Sequence, residues 1–383
     1  MRRALVGLWV VSVWAAGASV LYGPWTSGPS RDGVTISWAW GEASWAAVQF
    51  GKLPDYSLTG RFEGMVVCQR SSSQDKLAHV RLADLVSDTW YVYRLCFEDG
   101  ECTPIGAFRT LSGPGQAVRF GVVGDTQWQW QGVNRVELVA WSMVCDPWPF
   151  HFVVHLGDLV ESPIPLHWQF FFRSMGPMLR WAPLVPVLGN HERDDLSYYE
   201  HFTLPPGGGR MGERWWVLRA GDLVLVGLDS NIRKLRDYDD QTTWLRENLS
   251  GPEKHKIVVF HHPVFSSDAS YGPGTEGFQK VWHPLFVELG VDLVLNGHAH
   301  NYERIERDGV TYLVVGVGGA NLYALADPRV EGSLVGLEGW YGYAAVQADA
   351  EAIYVRVVGV AQLSDGRLLP HVLTLDEFWL CGD

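Results

Sequence analysis

The sequence predicts two architectures in series, an all-β sandwich over residues 22–112 and an α/β domain over residues 116–383. Two observations carry that prediction. Short alternating strands separated by turn residues fill the first segment, and from residue 116 onward strands alternate with helical stretches. A third, the run Ser112-Gly113-Pro114-Gly115, marks the join as a linker.

In the first segment Val34–Trp40 (VTISWAW) alternates apolar and polar side chains, as does Trp45–Gly51, and Leu77–Leu82, Thr89–Phe97 and Ala107–Leu111 continue the series. Strands this short, spaced regularly by Gly, Asp and Ser, fit two sheets packed face to face. Beyond the linker, Val118–Gly124 reads as a buried strand, Val133–Met143 has helical spacing, Phe152–Gly157 is a strand and Pro165–Trp181 a helix. Leu223–Leu228 and Lys256–Phe260 are strands with a helix over 241–249 between them; Glu276–Leu289 is a helix stopped by Gly290, and Asp292–Asn296 is again a strand. This is βαβ order, with sheets covered by helices. The 19 Trp are read as packing residues.

At the N-terminus Arg2 and Arg3 precede an apolar run from Ala4 to about Ala16, and Ala16-Gly17-Ala18 offers a small-x-small cleavage site. Residues 1–18 are therefore expected to be a signal peptide cut near Ala18, giving a secreted or periplasmic protein with no stable membrane insertion afterwards. An uncleaved anchor is the competing reading, because the apolar stretch continues to Tyr22. The formal charge of −13 would become −15 on losing both arginines. Such an acidic chain is not expected to bind a nucleic-acid polymer, which calls for a basic stripe. A small anionic substrate stays open, since bound cations reverse the local sign. Five cysteines are an odd number, so at least one has no partner within the chain. Cys96 and Cys102 flank the Asp99-Gly100 turn, where a bridge is plausible.

Five short motifs each follow an expected strand: Gly124-Asp125-Thr126-Gln127, Gly157-Asp158-Leu159-Val160-Glu161, Gly189-Asn190-His191-Glu192, His261-His262-Pro263 and Gly297-His298-Ala299-His300. In a layered α/β fold the carboxyl ends of strands converge on one edge, where ligands bind. Two Asp, one Asn and three His would meet there, a donor set suited to Zn, Fe or Mn. A glycine directly before Asp125, Asp158, Asn190 and His298 lets the backbone approach closely there. In an extended segment His298 and His300 would point to one face. Singly, each motif is a common turn; five together at strand ends point to a metal site. One carboxylate between two ions can bridge them, the arrangement that supports in-line phosphoryl displacement.

In this order the motifs resemble those of the calcineurin-like metallophosphoesterase superfamily. The string Gly297–Arg304 (GHAHNYER), the VVFHHPVF segment, Leu228-Asp229-Ser230, Val315–Gly319 and the closing β segment from Tyr341 to about Leu375 resemble its purple acid phosphatase branch. Segment 22–112, with Tyr91 and Tyr93 after a Ser-Asp-Thr turn, is similar to fibronectin type III modules. The resemblance covers nearly all of the chain after residue 18. It implies a fibronectin type III-like sandwich followed by a four-layer αββα metallophosphoesterase domain. It also implies a phosphatase that hydrolyses small phosphate monoesters by in-line attack of a metal-activated hydroxide. Asp125, Asp158 and His300 would hold the first of two divalent ions (Fe, Zn or Mn), Asp158 would bridge to the second, and Asn190, His261 and His298 would complete it. His191 would be the catalytic residue beside the phosphate.

Two positions depart from that pattern. Glu161 stands where the family's iron-binding Tyr belongs, and Gln127 where other superfamily members have a His. Gln127 is expected to offer its amide oxygen to the first metal, with Glu161 or water as alternatives, and the enzyme is expected to be colourless. The loop Ser266–Thr275 lacks the family's histidines. A phosphodiesterase acting on nucleotides or phospholipid head groups, with Trp128 and Trp130 stacking a base, is an alternative. So is a surface-binding protein with a decayed enzyme domain.

Overall fold

The computed structural model describes residues 19–127, 134–232 and 235–381. The expected signal peptide, 1–18, and Trp128 and Trp130 lie outside the described residues. Strands Val20–Ser27, Val34–Trp40 and Leu77–Leu82 form one face of the front module. The other face runs Gly64–Gln69, Trp45–Lys52, Trp90–Phe97, Gly106–Arg109. Ile36, Trp38, Val48, Tyr93 and Phe108 fill the space between. Tyr91, near the start of its strand, accepts a hydrogen bond from the Val86 N–H at 2.9 Å and pins the preceding corner. The helix Leu53–Thr59 and strand Gly64–Gln69 were not expected from the strand pattern. The helix has both of its signals, Pro54 in the first turn and Gly60 at φ 65° closing it.

The front module does not stand apart. Ser27 pairs in parallel with Leu184, so its three-stranded face continues a nine-stranded sheet. That sheet runs Arg367–Cys381, Ala352–Ser364, Trp340–Ala348, Val118–Val123, Phe152–His155, Leu184–Pro186 and then the three front strands. Trp25 stacks on Phe172 at 4.1 Å and donates to the His201 carbonyl, which locks the join.

A second sheet of eight strands has Leu223–Gly227, His255–Val259, Leu293–Asn296 and Val310–Val315 in parallel at its centre. These strands are apolar on both faces. Ile257 and Val259 pack toward the nine-stranded sheet, while Val258 packs toward Leu245, Phe278, Trp282 and Phe286 of the outer helices. Helices Arg135–Val144 and Pro165–Ser174 cover the far side of the nine-stranded sheet through Val136, Val139, Trp168 and Phe171. The order is helix, sheet, sheet, helix, as expected.

Two expected helices are broken. Pro165–Trp181 divides into Pro165–Ser174 and Gly176–Leu179, and Glu276–Leu289 into Glu276–Lys280 and Trp282–Leu289. Each break lies just before a proline, Pro177 or Pro284, whose ring excludes the carbonyl four residues back. The expected bridge Cys96–Cys102 is present, and Cys68, Cys145 and Cys381 are unpaired. Among the described residues no helix is long and apolar enough to cross a membrane.

Candidate metal centre

Each of the five motifs leaves the carboxyl end of a parallel strand. Gly124-Asp125, Gly157-Asp158 and Gly189–Glu192 come from adjacent strands of the nine-stranded sheet. His261-His262 and Gly297–His300 come from adjacent strands of the other. The two sets face each other across the seam between the sheets. Asp125, Asp158 and His298 all take left-handed backbone, with φ of 60°, 53° and 66°. Such conformations cost roughly 1–3 kcal/mol each and persist only where the surroundings enforce them. The glycines earn their places by proximity. A Cβ on Gly297 would lie 2.5 Å from an Asp125 carboxylate oxygen, and one on Gly157, at φ 90°, 2.8 Å from His261 Nδ1.

Asp158 is the buried centre. Its Oδ2 lies 3.2 Å from His261 Nε2 and 3.3 Å from Gln127 Nε2, while Oδ1 accepts the His191 N–H at 2.9 Å. Asp125 accepts the His298 N–H on both oxygens at 3.0 Å, and its Oδ1 lies 3.3 Å from His300 Nε2. His261 Nε2 is also 3.0 Å from Asn190 Oδ1 and 3.2 Å from His298 Nδ1. Two backbone carbonyls set the tautomers. His261 donates from Nδ1 to Leu156, and His300 from Nδ1 to Asn321, which turns both Nε2 lone pairs inward.

This donor set fits metal ions. Carboxylate, amide and imidazole acceptors converge on His261 Nε2, an array of lone pairs that a cation reconciles. Two groups have their donor atoms within 4.8 Å of one another: Asp125, Asp158 and His261, and His261, His262 and His298. The local field has the same sign. Burial alone would lower His261, but the Asp158 and Asp125 carboxylates raise it to about 9. Burial likewise works against Asp158 ionising, yet His261 and the His191 N–H hold it well below the usual range. The pull on a proton at His261 is the pull this cluster exerts on any cation.

All six expected donors, Asp125, Asp158, Asn190, His261, His298 and His300, meet at this seam. One expectation is corrected, and the two departures from the family pattern are placed. Residues 297–301 are not extended; Ala299 N–H bonds to Gly297 and Asn301 N–H to Ala299, and the tight turn sends the two rings apart. His298 reaches His261, and His300 reaches Asp125. Gln127 lies buried at the seam, its amide nitrogen 3.3 Å from both Asp158 Oδ2 and His300 Nε2 and its oxygen buried without a hydrogen-bond partner. Glu161 lies beside His191, its Oε1 3.8 Å from Nδ1, outside both donor groups. His191 itself stands at the rim, donating Nδ1–H to the Glu161 carbonyl at 2.7 Å, with Nε2 3.8 Å from Asp158 Oδ2.

Two further residues went unassigned in the sequence. Glu192 is fully buried and accepts four backbone N–H groups, from Asp158, Leu159, Val160 and Gly189, clamping two ligand loops together. Its position inside the GNHE string was the available signal. His262, held by Ser230 Oγ at 2.8 Å, packs 4.4 Å from the His298 ring.

Residues 118–302 match the calcineurin-like phosphoesterase family. Purple acid phosphatase 18 of Arabidopsis thaliana is 26% identical over 333 residues, 78% of this chain and 72% of that protein. Other curated relatives are spanned over less than two thirds of their length or just up to it, from 54% for purple acid phosphatase 1 of Ipomoea batatas to 66% for purple acid phosphatase 22 of Arabidopsis thaliana. Among solved structures, purple acid phosphatase PPD1 from yellow lupin seeds superposes with a TM-score of 0.73 at 19% identity, covering 94% of this chain and 74% of that one. In its fold and in the residues that meet at this seam, the chain is similar to purple acid phosphatases and to the calcineurin-like phosphoesterase family.

Proposed function

We propose that the chain is a secreted dinuclear phosphoesterase that hydrolyses small phosphate monoesters. The observation that carries this reading is the convergence of six donors from two sheets around the buried Asp158 carboxylate. Asp125, Asp158 and His300 would hold one ion, and Asn190, His261 and His298 the other, with Asp158 shared. When bound, the ions supply Lewis acidity and lower the pKa of water, so that hydrolysis needs no covalent enzyme intermediate. His191 is the residue free to act on the substrate. Its Nδ1–H is occupied by the Glu161 carbonyl, so Nε2, 3.8 Å from Asp158 Oδ2, faces the seam, where the imidazolium form delivers its Nε2 proton to the leaving oxygen as the phosphorus–oxygen bond breaks. Gln127 steadies Asp158 and His300 through its NH2 group. With Glu161 beside His191, neither departure supplies a phenolate, and the divalent, colourless form follows. The strand order of the front module and the Tyr91 corner support a fibronectin type III-like fold.

Assays of monoesters and diesters across pH, with Zn, Mn, Fe and Mg restored in turn to chelated protein, test the reading. Turnover of monoesters that returns with about two metals per chain is the expected result. Preference for diesters would move the assignment to a phosphodiesterase. Tight metal binding with no ester cleaved would make the chain a binding protein.

A further inference from the structure

The loop Ser266–Thr275 brings an aromatic side chain to the site where the resemblance led us to expect histidine. Tyr271 is 57% exposed, and its ring lies 4.6 Å from that of His298 at 47°. Tyr323, from a different segment, stacks on His300 at 4.1 Å and 11°, with its centroid 5.6 Å from that of Tyr271. Two tyrosines thus cap the outer faces of two histidines assigned to different ions. The pair forms a continuous aromatic edge over that side of the seam.

The edge is built into the fold. Asp268, 1% exposed, accepts the Tyr271 N–H at 2.9 Å and the Ser270 N–H at 2.8 Å on one oxygen. Its other oxygen accepts from Asn301 Nδ2, one residue beyond His300. Ala269 N–H donates to the Ala324 carbonyl, and Tyr323 N–H to that of His300. Beneath the loop, buried Glu303 accepts from the Ser267 N–H at 2.6 Å and from the Ser333 hydroxyl. Both tyrosine-bearing segments are therefore tied to the His298–Asn301 turn and to each other. An exposed ring held this firmly has little side-chain freedom left to lose when something packs on it.

We propose that Tyr271, buttressed by Tyr323, contacts the alcohol portion of the ester and selects substrates whose leaving group is a planar aromatic ring. This rests on the phosphoesterase reading above. The phosphoryl group is met by polar donors and by His191, so what extends past the seam on the His298–His300 side meets tyrosine faces. Offset or edge contacts between aromatic rings favour such a leaving group over an aliphatic one of similar size. Tyr271 is a specificity residue; it donates no proton and holds no metal here.

Two unreactive probes isolate the contact from the chemistry: phenylphosphonate and methylphosphonate as inhibitors of the metal-replete enzyme. Tyr271→Ala should weaken phenylphosphonate by roughly 2- to 12-fold, the range an aromatic pair contributes. Methylphosphonate should be unchanged, and Tyr271→Phe should keep both affinities. The kcat/KM ratio for phenyl phosphate over glycerol 2-phosphate should fall in parallel for the Ala variant alone. Equal loss with both probes, or no loss with either, would overturn the proposal while leaving the phosphoesterase reading intact. A wild-type enzyme that cleaves neither ester would instead overturn the reading on which it rests. Loss in Tyr271→Phe as well would show that the hydroxyl acts and the ring face does not.

Discussion

The nine-stranded sheet brings Asp125, Asp158 and Asn190 to the site, whereas the eight-stranded sheet brings His261, His298 and His300. Oxygen donors come from one side of the seam and imidazoles from the other, and neither set is oriented by its own sheet alone. The His298 backbone N–H fixes Asp125, while the Leu156 carbonyl fixes the His261 ring. One residue of each half, Asp125 and His261, is thus aimed by the other half's main chain, while Asp158 and His300 are also held from within their own. The loops also differ in how they are held. Asp158 and Asn190 sit in turns clamped by Glu192, whereas the histidine turn at 297–301 leans on the tyrosine-bearing segments. A metal centre of this kind reports on the packing of the two sheets as much as on its own residues.

The comparison breaks most completely at Asp158, which touches both halves. Asp158→Ala removes the carboxylate facing His261 and leaves Asp125 as the one carboxylate of the two to balance a buried imidazole cluster. The expected outcome is loss of both metals by elemental analysis. Turnover should fall beyond the roughly 10²–10³-fold that one lost electrostatic contact costs. A variant that keeps two tightly bound ions and normal rates would show that the halves are not joined through this residue.

His191 offers the opposite case, since it belongs to the oxygen side in sequence but holds no metal in this arrangement. His191→Ala should retain its metals and lose about 10²–10⁴-fold in kcat, as expected for a general acid. Alkyl esters should suffer more than aryl esters, because a poor leaving group needs the proton more. Equal losses would assign His191 to positioning the phosphate. Loss of metal would place it among the ligands.

The six residues were legible because each follows an expected strand, four of them directly after a glycine, and such positions converge wherever parallel strands share an edge. The four layers were legible from the alternation of strand and helix. What was not legible depended on direction in space. The pattern His298-Ala299-His300 suggests two rings on one face; the left-handed His298 backbone and the tight turn after it instead send one ring to His261 and the other to Asp125. Gln127 was legible as a departure from the family pattern, but not its contacts with Asp158 and His300, which lie 31 and 173 residues away in sequence. Strand Val20–Ser27 extends the catalytic sheet through one parallel pair, Ser27 with Leu184, which no periodicity in either segment announces. Tyr271 read as an ordinary loop residue until the turn below it was seen to be tied down.

The smallest expected effect, and the most specific to the oxygen side, comes from Glu192→Gln. Each carboxylate oxygen of Glu192 accepts two backbone N–H groups: Oε2 those of Asp158 and Gly189, Oε1 those of Leu159 and Val160. An amide has only one oxygen. Whichever way it turns, an NH2 group must face two N–H donors in a fully buried pocket. Leaving buried groups unpaired costs about 1–3 kcal/mol each, so the fold should lose roughly 2–4 kcal/mol by denaturant titration, the loops relaxing part of the strain. The clamp spans the turns that carry Asp158 and Asn190, so its loosening should also show at the metals. A supporting residue of this kind is worth about 10- to 100-fold in metal affinity. Activity at saturating metal should recover to within a few-fold of wild type, which separates this effect from that of His191. A Gln variant with wild-type stability and metal affinity would mean that the two turns hold their shape without the clamp. The order on the oxygen side would then come from the packing of the strands and from contacts across the seam, such as that of the His298 N–H with Asp125.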